Sequence, residues 1–347
     1  MSIEPAESAP SDTQAAPRTV NIGTRSSLLA LIQADEVEKA LKQKWPTLQY
    51  AVHSMKTLGD RDKVTPLPSF NAKSLWTKDL EVLLLDGKLD MIVHCTKDMP
   101  TQLPPGLTIA SMPPRHDPRD VLIVSPRLSS THRTLSSLPA DSTIGTSSVR
   151  RTAQLRRLYP HLRFADARGN IDTRLSKLDA SDSPYAALIL AAAGIERIGK
   201  KDRITAYLSK DEGGMLYAVG QGALAVEIRE GDERTRELVE GICDERTYRE
   251  CLAERSLMRT LEGGCSVPIG VETEWVGGEE ELCMRAIVVS LEGDKAVEAE
   301  MTKRIRSRND ADELGWELAA VLVEKGAEEI LKEIILNRRI VEQQGDA

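Results

Sequence analysis

The chain alternates short apolar runs with longer amphipathic ones, and few folds accommodate that alternation. Val20-Asn21-Ile22-Gly23 reads as a strand, and Ser27 to about Lys44 as a helix with Leu28, Leu31, Ile32, Val37 and Leu41 on one face. Tyr50 to Met55 reads as a second strand, Leu75 to Asp86 as a helix ended by Gly87, and Asp90 to His94 as a buried strand. Such a succession specifies an α/β domain with a mainly parallel sheet. Pro113-Pro114-Arg115-His116-Asp117-Pro118 interrupts it and reads as a domain crossing. A second α/β pattern then opens with a strand at Val121–Val124 and runs to about Leu208. Gly213-Gly214 marks another break, where the chain is expected to cross back. Beyond it come a helix from Thr247 to Leu261, strands near Ile269–Trp275, Cys283–Leu291 and Ala296–Thr302, and a long amphipathic helix from Asp310 to about Ile335. At 347 residues the chain exceeds one ordinary core. The expected division is a disordered tail at 1–18, domain 1 at 19–115 plus 219–240, domain 2 at 118–216, and a small α+β domain 3 at 243–340. No internal sequence repeat is visible.

Charge and composition narrow the function. The net charge of −8 and an aromatic content of 3% argue against a nucleic-acid binder, which needs a basic field and stacking rings. Yet Arg150, Arg151, Arg156, Arg157, Arg163, Arg168 and Arg174 crowd one stretch of this acidic chain. Guanidinium forks match carboxylate and phosphate oxygens, so the cluster points to a small polyanionic ligand. Cys95, Cys243, Cys251, Cys265 and Cys283 form no CxxC pair, which suggests neither a disulfide framework nor a zinc site, and a reducing compartment fits them. Met1 to Arg18 lacks the apolar core of a signal peptide and the basic character of a mitochondrial presequence. The longest apolar run, Ala186 to Ile195, is too short to span a bilayer. A cytoplasmic protein without membrane or nucleic-acid partners is expected.

Several segments can carry chemistry. His94-Cys95-Thr96-Lys97-Asp98-Met99-Pro100 follows a buried strand, where ligands of open α/β sheets sit. Asp98 is there either a turn former or a carboxylate facing substrate, and His94 reads as a packed strand residue. Gly145-Thr146-Ser147-Ser148-Val149-Arg150-Arg151 combines a small-residue turn with a helix start that favours an anion, Ser147 or Ser148 being able to cap. Arg168-Gly169-Asn170-Ile171-Asp172-Thr173-Arg174 repeats the theme, and Arg25 and Ser27 lie at a third strand-to-helix turn. Val219-Gly220-Gln221-Gly222-Ala223 is a Gly-flanked turn without a dinucleotide fingerprint. Cys265 follows Gly263-Gly264 at a helix end and is either a buried small hydrophobe or a thiol available for attachment.

Taken together, these segments resemble the porphobilinogen deaminase family from about Asn21 to about Leu336. The matching stretches, in the family's order and spacing, are Gly23–Ser27, Ala72–Lys78, His94–Pro100, Gly145–Arg151, Arg168–Asn170 with Thr173–Asp179, Ala192–Gly194 leading to Arg197, Val219–Ala223 and Leu261–Cys265. The resemblance implies three domains, the first two built like periplasmic-binding-protein lobes joined by two crossovers, in a monomer. It implies a dipyrromethane cofactor, two linked pyrroles held by a thioether to Cys265, and no metal. The implied reaction joins four porphobilinogen molecules head to tail with loss of ammonia, and hydrolysis releases the linear tetrapyrrole hydroxymethylbilane for haem and tetrapyrrole biosynthesis. Asp98 takes the catalytic acid–base role by this match. Lys97, Thr146, Ser147, Arg150, Arg151, Arg168, Arg174 and Gln221 take cofactor contacts, and Arg25, Ser27, Lys73, Arg168 and Arg197 take substrate contacts.

The chain departs from the family pattern at Cys95 and Thr96, which stand where a serine and an apolar residue are usual. A thiol is a weak donor beside a hydroxyl. Ser69-Phe70-Asn71-Ala72 replaces a more basic, glycine-rich segment, and Trp76 stands where Phe is common. Two rival readings stay open on the residues alone. A non-catalytic two-lobed binding protein for an organic anion explains the lobes and arginines but not the Gly-Gly-Cys loop. A phosphate-handling enzyme using Gly145–Arg151 lacks a P-loop lysine at Walker spacing.

Overall fold

The computed structural model describes residues 19–56, 74–261, 267–278 and 280–345. The expected tail, residues 57–73 with Lys73 among them, and Cys265 lie outside the described residues.

Two five-stranded sheets share one topology. In the first, β1 (Thr19–Arg25), α1 (Leu28–Lys44) and β2 (Gln49–Met55) form a parallel unit, and β3 (Met91–Cys95), preceded by α2 (Ser74–Leu85), adds a parallel strand on the other side of β1. In the second, β6 (Thr143–Gly145), α3 (Val149–Leu158) and β7 (Arg163–Ala165) form the parallel unit, and β8 (Ala187–Ala191), preceded by α4 (Ile171–Asp179), takes the place of β3. Each sheet is completed by strands on either side of a crossing. The first carries β4 (Leu107–Ser111), and the chain then crosses to β5 (Asp120–Val124) of the second. After β9 (Ala206–Leu208) the chain returns to β10 (Leu224–Arg229) of the first. The orders are β2-β1-β3-β10-β4 and β7-β6-β8-β5-β9. The strand that follows each crossing inserts antiparallel on both sides, so each sheet is mainly parallel, as the sequence reading expects, with one strand running against the other four. The cause is the crossing itself, which delivers the chain from the end opposite to the one a βαβ helix uses.

The first helix differs from expectation. Its buried apolar stripe is Ala30, Ala34, Val37 and Leu41, whereas Leu28 and Leu31 are 55% and 37% exposed. The helix starts past the end of β1, so its opening turn overhangs the sheet, and small alanines bring the rest of it close to the strands.

The third unit is an antiparallel sheet of β11 (Ile269–Val276), β12 (Glu281–Val289) and β13 (Ala296–Arg304) packed with helices. Between β8 and β9 lies α5 (Ala192–Arg197), and α6 (Glu233–Glu240) and α7 (Glu245–Thr260) lead from β10 into this unit. The one long closing helix expected from the sequence is two, α8 (Arg308–Glu324) and α9 (Ala327–Gly345), parted at Gly326 with φ of 100°. Helix α8 crosses α7 at Gly315, where a Cβ would lie 2.1 Å from the Ala253 carbonyl oxygen.

A buried ion pair joins the three units. Arg115, in the first crossing, donates to both carboxylate oxygens of Glu254 on α7 at 2.7 and 3.1 Å, and through Nε to the Gln221 carbonyl at 2.9 Å. Glu254 also accepts from Gly220 N at 2.7 Å in the second crossing and from Thr273 Oγ1 at 2.9 Å on β11. Tyr217 lies under the Arg115 guanidinium and forms a bridge with Val271. The side chains of Arg115 and Glu254 are 6% and 0% exposed. Removing one partner of such a pair leaves an uncompensated buried charge and costs about 3–5 kcal/mol. Glu254→Ala is therefore expected to lower the urea midpoint of unfolding by that equivalent, and an unchanged midpoint would contradict the role given to the pair.

Candidate functional site

The sequence-selected residues gather at the carboxyl ends of the parallel strands, the place where open α/β sheets bind ligands. Arg25 ends β1, and Ser27 caps α1, its Oγ accepting from Ala30 N at 3.3 Å. A short 3-10 turn, Thr96–Asp98, follows β3 and sets Lys97 and Asp98 half-buried at its end. Thr146 and Ser147 follow β6, Arg168 and Arg174 follow β7, and Arg197 ends the helix after β8.

Charges from both sheets meet across the crossings. The Cys95 thiol is pushed up, by burial first and then by the charge of Asp98, while Lys97 and Arg197 draw it the other way. Asp98, Lys97 and Arg197 thus act on one point, although Arg197 belongs to the second sheet. Arg197 Nη2 donates to the Gly222 carbonyl at 3.2 Å, and its Nε lies 3.3 and 3.1 Å from the two oxygens of Glu36 on α1.

Arg150 and Arg151 are anchored rather than splayed. Both are buried, and both pair with Asp120 at the start of β5: Arg150 Nη1 reaches Oδ2 at 2.8 Å, and Arg151 Nη2 and Nε reach Oδ1 at 2.7 and 3.0 Å. Their remaining bonds go to the carbonyls of Leu216, at 2.6 Å, and Ile189, at 2.8 Å. Gln221 joins them, donating to Asp120 Oδ1 at 2.9 Å and Pro118 O at 2.7 Å. Burial alone would push the Asp120 carboxyl up, but the two guanidiniums hold it well below the usual carboxylate range. Burial and then the charge of Arg151 push Arg174 down to about 10, which leaves it cationic at neutral pH.

Some donors retain capacity. Ser148, not Ser147, caps α3, accepting from Arg151 N at 3.4 Å. Thr146 Oγ1 accepts from Ser148 N at 3.3 Å, while the Ser147 hydroxyl is buried without a hydrogen-bond partner among the described residues. Arg168 Nε lies 3.3 Å from Asp166 Oδ2 and is otherwise unpartnered, and Arg174 Nε donates to the Gly169 carbonyl at 2.7 Å. Unsatisfied hydroxyl and guanidinium donors of this kind suit carboxylates.

The sequence reading missed Asp120 and Glu36. Asp120 sits two residues past a segment read only as a crossing, and its one signal was a carboxylate at the head of an apolar strand. Glu36 looks like any exposed helix acid until Arg197 is placed beside it. Cys265 and Lys73 lie outside the described residues. Helix α7, which precedes Cys265 in sequence, is tied to the Asp98 loop: Arg255 Nη2 donates to the carbonyls of Pro100 at 2.7 Å and Thr101 at 3.3 Å. Among the described residues no helix is long and apolar enough to cross a membrane.

Comparison with known proteins places the chain beside one family. Residues 20–237 match the family model for porphobilinogen deaminase, dipyromethane cofactor binding domain, and residues 248–324 match that for the porphobilinogen deaminase C-terminal domain. A porphobilinogen deaminase of Neurospora crassa is 50% identical over 90% of this chain and 93% of its own. Those of Yarrowia lipolytica and Saccharomyces cerevisiae are 48% and 47% identical over 94% and 93% of this chain and 96% and 99% of theirs. Among solved structures, the alkanesulfonate-binding protein SsuA from Xanthomonas axonopodis pv. citri is a distant likeness, with a TM-score of 0.35 and 15% identity over 70% of this chain and 75% of that one.

The Asp120 cluster makes a pH-dependent prediction. Because the folded carboxyl titrates lower than its unfolded form, its contribution to stability is complete above the ordinary aspartate value near 3.9 and is lost as pH falls through the lower folded value. Asp120→Asn should be markedly less stable than the parent at pH 7, with the gap narrowing below about pH 4. Urea unfolding at both pH values measures this, and a gap that did not narrow in acid would refute it.

Proposed function

The chain belongs to the porphobilinogen deaminase family, and on that premise we propose that Asp98 and the guanidiniums around it carry out the family's reaction here. The protein is a transferase of tetrapyrrole and haem biosynthesis that uses a dipyrromethane cofactor and joins four porphobilinogen molecules head to tail. The observation that carries the assignment of residues is the Arg255 link, which ties the helix that precedes Cys265 in sequence to the loop that presents Asp98.

The donor chemistry suits the cofactor. Each pyrrole brings an acetate and a propionate, and the chain offers a buried, unpartnered Ser147 hydroxyl, an unpartnered Arg168 Nε and a cationic Arg174 to such groups. We assign Cys265 as the attachment point and Lys97, Thr146, Ser147, Arg150, Arg151, Arg168, Arg174 and Gln221 as the groups that hold the carboxylates. Gln221, Arg150 and Arg151 do so as one unit preset by Asp120. When bound, dipyrromethane supplies the free pyrrole carbon on which the product chain is built.

The residues of this chain then do the rest. Arg25, Ser27, Lys73, Arg168 and Arg197 orient the acid side chains of the incoming porphobilinogen. The Asp98 carboxylate faces its pyrrole N–H and stabilises positive charge there as ammonia departs. Asp98, protonated beforehand, hands its proton to the departing amine and, left as the carboxylate, takes one back from the carbon that has formed the new bond. The division into domains at 19–115 with 219–240, 118–216 and 243–340, and action as a cytoplasmic monomer, complete the proposal.

Intact-mass spectrometry of the purified protein is expected to show a dipyrrole adduct that Cys265→Ser abolishes, since neither an anion-binding protein nor a phosphate-handling enzyme carries one. Asp98→Asn in the cofactor-loaded enzyme should lower turnover by at least about a hundred-fold. An Asp98→Asn enzyme with normal turnover would overturn its role.

A further inference from the structure

Arg197 is held by a carboxylate of this chain's own. Glu36 projects from α1 of the first sheet, Arg197 from the helix after β8 of the second, and no other direct ion pair among the described residues joins those two helices. The guanidinium is 2% exposed, whereas Glu36 is 31% exposed. Both Glu36 oxygens crowd onto Nε at 3.3 and 3.1 Å, because Nη2 is engaged by the Gly222 carbonyl at 3.2 Å. Charge-assisted bonds of good geometry run shorter, and a bidentate fork would use two nitrogens. The pair is therefore a loose one. His116 Nε2, 3.7 Å from Glu36 in the first crossing, is another basic group beside it, and Lys39 on α1 also feels its charge.

The porphobilinogen acid groups are carboxylates like that of Glu36, and they compete for the same nitrogen. We propose that Glu36 is an internal competitor for the Arg197 subsite: a substrate carboxylate binds Arg197 by displacing Glu36, and that exchange breaks the ion pair latching the first lobe to the second. Glu36 thereby sets substrate affinity without touching the reacting atoms, and substrate entry is linked to release of the lobes. This rests on the reading of Arg197 as a substrate-binding residue.

The test uses cofactor-loaded enzyme and steady-state kinetics with porphobilinogen. Glu36→Gln keeps shape and removes the competing charge. Its KM is expected to fall about two- to five-fold, the equivalent of one half-exposed ion pair, with kcat little changed. Arg197→Gln should raise KM about ten-fold or more. In Glu36→Gln/Arg197→Gln the effect of the Glu36 change should vanish. If Arg197→Gln leaves KM unaltered, the assignment of Arg197 fails and the competitor role with it. If Arg197→Gln raises KM while Glu36→Gln leaves it unchanged or raises it, Arg197 keeps its role and the competitor proposal is overturned.

Discussion

The buried pairing of Arg115 with Glu254 decides how the units sit. A guanidinium and a carboxylate withdrawn from water are tolerable only when nearly every donor and acceptor is satisfied. Here the satisfying groups come from everywhere at once: the Gln221 carbonyl and Gly220 N–H of one crossing, Arg115 itself in the other, and Thr273 of the third sheet. Because the pair accepts few other arrangements, it sets the two crossings side by side and docks α7 against both. From that docked position Arg255 of α7 holds the loop after Asp98.

An acidic protein that must handle a polyacid meets a difficulty. Guanidiniums gathered in one cleft repel each other, and each needs a counter-charge that does not block its outward face. The structure meets this need by depth. Asp120 lies beneath Arg150 and Arg151 and is itself nearly wholly buried, so it neutralises part of their charge from the core side. Asp166 stands beside Arg168, and Glu36 beside Arg197, both at more exposed positions. A deep counter-ion is permanent and orients its arginines; a shallow one is exchangeable. The same residue type thus does two different jobs, and burial separates them.

Much of this was legible from the chain. The positions of Arg25, Asp98, Thr146, Arg168 and Arg197 follow from placing turns after apolar runs, because strand ends are where the backbone of an α/β sheet exposes side chains. What escaped the reading was non-local. Whether Leu28 and Leu31 are buried depends on where α1 starts relative to the end of β1, which no periodicity reveals. The antiparallel insertion of β5 and β10 depends on the direction of the crossings. The break at Gly326 was written in the sequence, yet the apolar spacing runs through it and masks it. Asp120 and Glu36 acquire meaning only from partners 30 and 161 residues away.

The shared strand order of the two sheets bears on how the lobes move. Each lobe receives its antiparallel strand, β5 or β10, directly from a crossing, so the crossings lead straight into both sheets and are not loose tethers. They are also in close contact: a Cβ on Gly222 would fall 2.4 Å from the His116 carbonyl, and one on Gly220 would fall 2.7 Å from Thr96. Both glycines have positive φ, so the second crossing turns where side chains would strain it. Two connections pressed together and sharing Arg115 can twist as one but cannot slide independently. The loose contact of Glu36 with Arg197, which spans the lobes, can break without disturbing the core of either.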